Sequence, residues 1–158
     1  MEKFKRKIII DASADEVFAF MDDIGNTGMH MTKTNAAMMG SKLNVEWLSE
    51  NKTGSGAKYS WRGKVMGMKI DFTVEVTKWI PGKEKVWETV GAAKMIVLSW
   101  FRMYLILNPM DKRTTQTELG IYYTIPKGNI LGFLLAGRYA AWCINSMLKD
   151  VKSHFNKN

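Results

Sequence analysis

Between residues 68 and 77 hydrophobic and polar side chains alternate without a break: Met68, Ile70, Phe72, Val74 and Val76 fall on one face, and Lys69, Asp71, Thr73, Glu75 and Thr77 on the other. Two is the period of a strand, and a strand with one apolar face must lay that face on a core. The same rhythm recurs from residue 43 to residue 125, which predicts five or six antiparallel strands there. Pro81-Gly82 and the stretch "LNPMDKRTTQT" interrupt it. Proline presets one turn dihedral and glycine accepts the left-handed one, so consecutive strands are expected to join as hairpins in a meander. A further strand over residues 3 to 10 brings the predicted sheet to six to seven strands.

Outside this region the period lengthens. In "DASADE", Ser13 is placed to cap a helix and Glu16 stands three residues on to complete a capping box, with Val17, Phe18 and Met21 facing inward. A second short helix, rich in methionine, is predicted in "IGNTGMHMTKTNAAMM". After Pro126 and Gly128 a long helix is predicted to about His154, with Phe133, Gly137, Ala140, Ile144, Met147, Val151 and Phe155 recurring at three and four and facing the sheet. Its middle is odd. Gly137, Ala140 and Ala141 are small where a core prefers bulk, and a helix-interior glycine costs about 1 kcal/mol relative to alanine. Either helix and sheet approach closely there, or a cavity lies between them. A membrane span needs about 20 apolar residues; Arg138 interrupts this stretch, which runs into Asn145 and Lys149, so a transmembrane helix is not expected.

The 158 residues suit one core, and no linker or repeat divides them, so one domain over residues 1–158 is expected. Only Ile8, Ile9 and Ile10 follow the basic head before Asp11, too few for a signal peptide, and the lone Cys143 allows no internal disulfide; both point to a cytoplasmic protein. With 23 basic and 15 acidic residues the net charge is +8, which raises nucleic acid, anionic membrane or acidic ligands as partners. Lys3, Lys5 and Lys7 alternate on one strand face, but no basic reading helix, RNA-binding signature or zinc-finger spacing accompanies them, so no nucleic acid is expected.

Catalytic chemistry leaves little trace. There is no nucleophile elbow, phosphate loop or dinucleotide fingerprint, and His30 and His154 stand almost a chain apart without metal-ligand spacing. No metal, cofactor or catalytic residue is expected. His30 becomes a candidate base if a carboxylate orients it. Glu88 and Arg102, on neighbouring strands, either pair inside a cavity to orient a ligand's hydroxyl or carboxylate, or form an exterior cross-strand ion pair. Soft apolar surface is plentiful, with twelve methionines and six tryptophans. Methionine adapts to irregular contents, and aromatics offer large contact area with few torsions to freeze. The candidate ligand-binding residues are Trp61, Phe72, Trp87, Met103, Tyr104 and Tyr123 from strands, with Gly137, Ala140 and Ala141 from the helix.

Several local features together resemble the START-related superfamily (SRPBCC), with the polyketide cyclase/dehydrase and lipid-transport branch most similar. They are the opening "IIIDASADEVFAFMDDI", Gly56, Tyr59, Trp61 and Gly63 in "GAKYSWRG", Pro81-Gly82 ahead of Val86-Trp87, and Thr114 to Thr117 before the last strand. Ser13 stands where that family usually has proline, and "GNTGMHMTKTN" lacks its proline and tryptophan after the first helix. The resemblance implies an α+β helix-grip fold, a curved antiparallel sheet wrapped around the long C-terminal helix. It also implies a cavity between them for a hydrophobic small molecule: lipid, sterol, polyketide or isoprenoid. A cyclase or dehydratase-like enzyme using the same cavity, and a ligand-free interaction module, remain open alternatives. One further partner is suggested by the helix face that carries Leu131, Leu135 and Trp142 beside Arg138, Asn145 and Lys149, which suits an anionic membrane surface; dimerisation through the same strip, or cover by the loop around Ile96 and Val97, are the alternatives.

Overall fold

The computed structural model describes residues 1–27, 42–65 and 67–156. Its strands are β1 (Glu2–Ile10), β2 (Lys42–Trp47), β3 (Lys58–Val65), β4 (Met68–Ile80), β5 (Glu84–Thr89), β6 (Trp100–Asp111) and β7 (Thr114–Thr124). They form one antiparallel sheet in the order β1-β7-β6-β5-β4-β3-β2. From β2 to β7 this is the predicted meander, and β1 returns to pair with the last strand, Glu2 opposite Tyr123 and Ile10 opposite Thr115. Helices α1 (Ala14–Asp22) and α2 (Ile24–Thr27) follow β1, and α3 (Ile130–Phe155) closes the chain. The result is the helix-grip fold expected from the sequence.

Local chemistry fixes the joints. At the β4–β5 turn the Lys83 N–H donates to the Ile80 carbonyl at 3.0 Å while Gly82 takes φ 71°, a conformation that a side chain would strain. Ser13 accepts from the Glu16 N–H and Glu16 reaches back to the Ser13 N–H, so the predicted capping box is present, and α1 buries Val17, Phe18 and Met21. On β4 the predicted face is the inner one: Ile70, Phe72, Val74 and Val76 are buried. A bulge between Val76 and Lys78 then shifts the phase, which brings Trp79 opposite Lys85. The methionine-rich stretch after α2, with His30, lies outside the described residues. No helix among the described residues is long and apolar enough to cross a membrane.

The rotation of α3 departs from expectation in its first half. Ala140, Ile144, Met147 and Val151 are buried as predicted, but Phe133 and Gly137 are exposed, and the face toward the sheet is Gly132, Ala136, Tyr139 and Cys143. Close approach happens at Gly132, whose Cβ would overlap the Ile96 carbonyl oxygen. At Gly137 a Cβ would meet only the Tyr123 hydroxyl, at an ordinary 3.8 Å. Gly137→Ala is therefore expected to stabilise the protein by about 0.5–1 kcal/mol through helix propensity alone. In thermal denaturation that is a rise of roughly 1–4 °C; a fall would show that the helix packs more tightly there than its exposure indicates.

Candidate functional site

Where the inner face of the sheet meets α3 the packing leaves a cavity of about 60 Å³. Register explains its walls. Trp61 stands opposite Phe72, and Trp87, Met103 and Ile121 stand in one cross-strand row on β5, β6 and β7, so each of these inward side chains is braced by the next. Tyr59, Val74 and Phe101 extend the same faces by one pleat; Tyr139, Cys143 and Met147 close the cavity from α3; Met95 and Leu98 close it from the β5–β6 loop; Thr27 reaches it from α2. Room for a few waters is far below the roughly 300–1,000 Å³ of a drug-sized ligand site. An occupant therefore has to displace side chains, and three of the fourteen lining residues are methionines, the side chains that move most easily.

The polar groups around this space are donors held protonated. Burial, reinforced by the Asp22 charge, pushes the Tyr59 hydroxyl well above its ordinary range. Burial likewise raises Tyr139, and it pushes the Cys143 thiol up to about 12 although a hydrogen bond from Tyr139 opposes it. A thiol held neutral is no nucleophile. Among the described lining residues there is no aspartate, glutamate or histidine to act as a base. Nor do three His, Cys, Asp or Glu side chains gather anywhere among the described residues as a metal site would require. The chemistry on offer is apolar contact with a few hydrogen-bond donors.

A buried ion pair lies behind the cavity wall, against Trp87 and α1, and the sequence reading did not name it. Lys85 is 3% exposed; its Nζ donates to Asp22 Oδ1 at 2.8 Å and lies 5.2 Å from the centre of the Trp87 ring. Thr53 donates to the other Asp22 oxygen at 2.7 Å. Burial alone would raise the Asp22 carboxyl, but the Lys85 charge and the hydrogen bonds from Lys85 and Thr53 outweigh it and hold the carboxyl below its usual range. Burial lowers the Lys85 ammonium, and Asp22 opposes this only in part. A period-two reading of β5 contains the signal: Lys85 is in phase with Trp87 and must share its inner face.

Of the residues proposed from sequence, Trp61, Phe72, Trp87 and Met103 line the cavity together. Tyr123 and Ala140 are buried but do not line it, Ala141 is half-buried, and Gly137 is exposed, so the void expected beside that small-residue run is not there. Tyr104 is a correction. It follows inward-facing Met103, so strand alternation turns it to the outer face, where its ring covers Gly120 and its hydroxyl donates to Glu118 at 2.9 Å. Glu88 and Arg102 pair on that same outer face, at 3.0 Å, as the exterior alternative required. His30 lies outside the described residues. The site residues without a sequence signal were Met95 and Leu98, in a loop that has no period to read.

No protein-family model matches the sequence, and no curated protein matches it either. Solved structures do. A conserved protein from Geobacillus kaustophilus is similar at TM-score 0.73 and 15% identity, over 98% of this chain and 95% of that one. The Zhui aromatase/cyclase from Streptomyces sp. R1128 is similar at TM-score 0.68 and 14% identity, over 97% and 94%. Ara h 8.0201 is similar at TM-score 0.70 and 9% identity, over 99% of both chains. Likeness over whole chains at such low identity defines a class by fold: this is a helix-grip protein.

Proposed function

We propose that the chain is one ligand-binding domain that takes up a hydrophobic small molecule, lipid, isoprenoid or polyketide-like, between the sheet and α3. The observation that carries this reading is the lining: aromatics and methionines braced in register around a space that the core does not fill. A protein needing only a core would fill it, because each unfilled methylene-sized gap forfeits dispersion contacts. The name of one fold neighbour, an aromatase/cyclase, supports an aromatic or polyketide-like occupant. Binding is favoured over catalysis because Tyr59, Tyr139 and Cys143 are held in their protonated forms, leaving donors and, among the described lining residues, no base.

The test uses an apolar naphthalene dye and the protein's own tryptophans. Bound dye is expected to quench emission from Trp61 and Trp87, and Cys143→Phe, which fills the cavity from α3, is expected to weaken uptake at least tenfold. The same change costs about 1–3 kcal/mol by overpacking. Saturable uptake that Cys143→Phe leaves untouched in a folded variant places the site elsewhere, and no uptake at all favours a ligand-free interaction module. Native mass spectrometry of protein from its own cells then identifies the cargo.

A further inference from the structure

Along α3 one line of side chains, Ile130, Leu134, Gly137, Ala141, Ile144 and Leu148, repeats at three and four residues and so lies on one face. β1 packs on the lower half of that face: Ile144 and Leu148 are buried, and Arg6 of β1 donates to Asn145 Oδ1 at 2.8 Å. Among the described residues nothing covers the upper half. Ile130 is 79% exposed, Phe133 71%, Leu134 64% and Leu131 52%. Single surface leucines are ordinary, but four large apolar side chains within five consecutive positions form a patch that marks an interaction site. It lies nearer the helix start than the strip expected from sequence, whose Leu135 and Trp142 are half-buried and whose Asn145 is held by Arg6.

Charge selects the partner. The Ile96 carbonyl accepts from Asn129 at the start of α3, Lys94 bridges to Asp71 on β4, and Lys64 pairs with Lys69 beside the β3–β4 turn. These links bring Lys64, Lys69 and Lys94 to the end of the sheet where α3 begins. Lys127 precedes Ile130 by three residues, and Arg138 follows Leu134 by one turn. All five cations are exposed, and none is in an ion pair among the described residues. Acidic Asp11, Asp15, Glu16 and Asp23 gather at the opposite end around α1, with Asp111 at the β6–β7 turn. An anionic bilayer meets both demands at once, hydrocarbon for the apolar cluster and headgroup phosphates for the cations.

We infer that this end of the protein docks on an anionic membrane surface, with Ile130, Leu131, Phe133 and Leu134 seated at the headgroup boundary and the five cations at phosphate level. The β5–β6 loop links the two regions of the molecule, since Ile96 braces the start of α3 while Met95 and Leu98 line the cavity. Docking itself needs no ligand.

Flotation of the purified protein with vesicles of phosphatidylcholine, alone or mixed with phosphatidylserine, tests it. The protein is expected to float only with phosphatidylserine present and to be released as salt shortens the screening length from about 10 Å at 0.1 M to about 3 Å at 1 M. Lys69→Glu with Lys94→Glu should weaken partitioning roughly 25-fold or more, at about fivefold per cation. Phe133→Ser with Leu134→Ser should abolish it. All four positions are exposed, so each variant should melt like the wild type, and a melt confirms that the variant is folded. Equal flotation on neutral vesicles overturns the inference, as does wild-type flotation by the serine variant. A dimer in sedimentation that the serine variant dissolves, without flotation of either protein, assigns the face to a second copy of this chain.

Discussion

Lys85→Met is expected to lower the stability of the protein by about 3 kcal/mol or more, the largest effect of any single substitution considered for this chain. Removing one partner of a buried pair leaves the other charge desolvated without compensation, and the Asp22 carboxylate would keep the Thr53 hydroxyl as its donor. Replacing both charges, Asp22→Leu with Lys85→Met, is expected to cost much less than Lys85→Met alone, because an apolar pair carries no desolvation penalty. Urea denaturation of the wild type, both single variants and the double variant reads this as a thermodynamic cycle. Additive single costs would show that the pair is not coupled. The pH dependence follows from the direction of each shift. Asp22 is depressed in the folded state, so its contribution is complete above the ordinary carboxylate value of about 4 and is lost as pH falls through the lower folded value. Lys85 is also depressed, so at alkaline pH the native state releases its proton before the unfolded chain does, and stability rises there. Both slopes should flatten in the double variant.

How far the sequence carried depends on whether a polar phase marker was present. β4 alternates cleanly and so places Phe72 inward, while Trp61, Trp87 and Met103 stand out in the sequence only as large aromatic or methionine side chains on strands; all four line one cavity. Strict use of the same rule excludes Tyr104, since Met103 and Tyr104 cannot both point inward, and it turns Glu88 and Arg102 outward with it. It also places Lys85 inward, against the usual expectation that lysine is solvated. The first half of α3 has no such marker. Leu131, Gly132, Phe133, Leu134 and Leu135 are apolar or small all the way round the helix, so two stripes one residue apart fit equally well, and only packing against Ile96 selects Gly132. Met95 and Leu98 reach the cavity from a loop, where their positions follow from tertiary contacts rather than from any repeat.

Gly132→Ala should reveal that selection directly, with an effect opposite in sign to Gly137→Ala although both replace a glycine in the same helix. Propensity favours alanine at both positions by up to about 1 kcal/mol. At Gly132 the new methyl group would overlap the Ile96 carbonyl oxygen and stand 3.3 Å from Asn129 Cγ, and neither can yield cheaply. The Ile96 carbonyl is backbone and accepts from Asn129 at 3.1 Å, while Asn129 caps α3 by accepting from the Gly132 N–H at 2.9 Å. Relief requires the β5–β6 loop to back away from the helix, at a cost of about 1–3 kcal/mol that outweighs the propensity gain. A fall of roughly 2–6 °C in the melting temperature is the expected result. The displaced loop also carries Met95 and Leu98, so dye uptake by the cavity should change in Gly132→Ala while remaining as in the wild type in Gly137→Ala. Equal melting temperatures for the two variants would mean that helix and loop are not in the close contact that sets the rotation of α3.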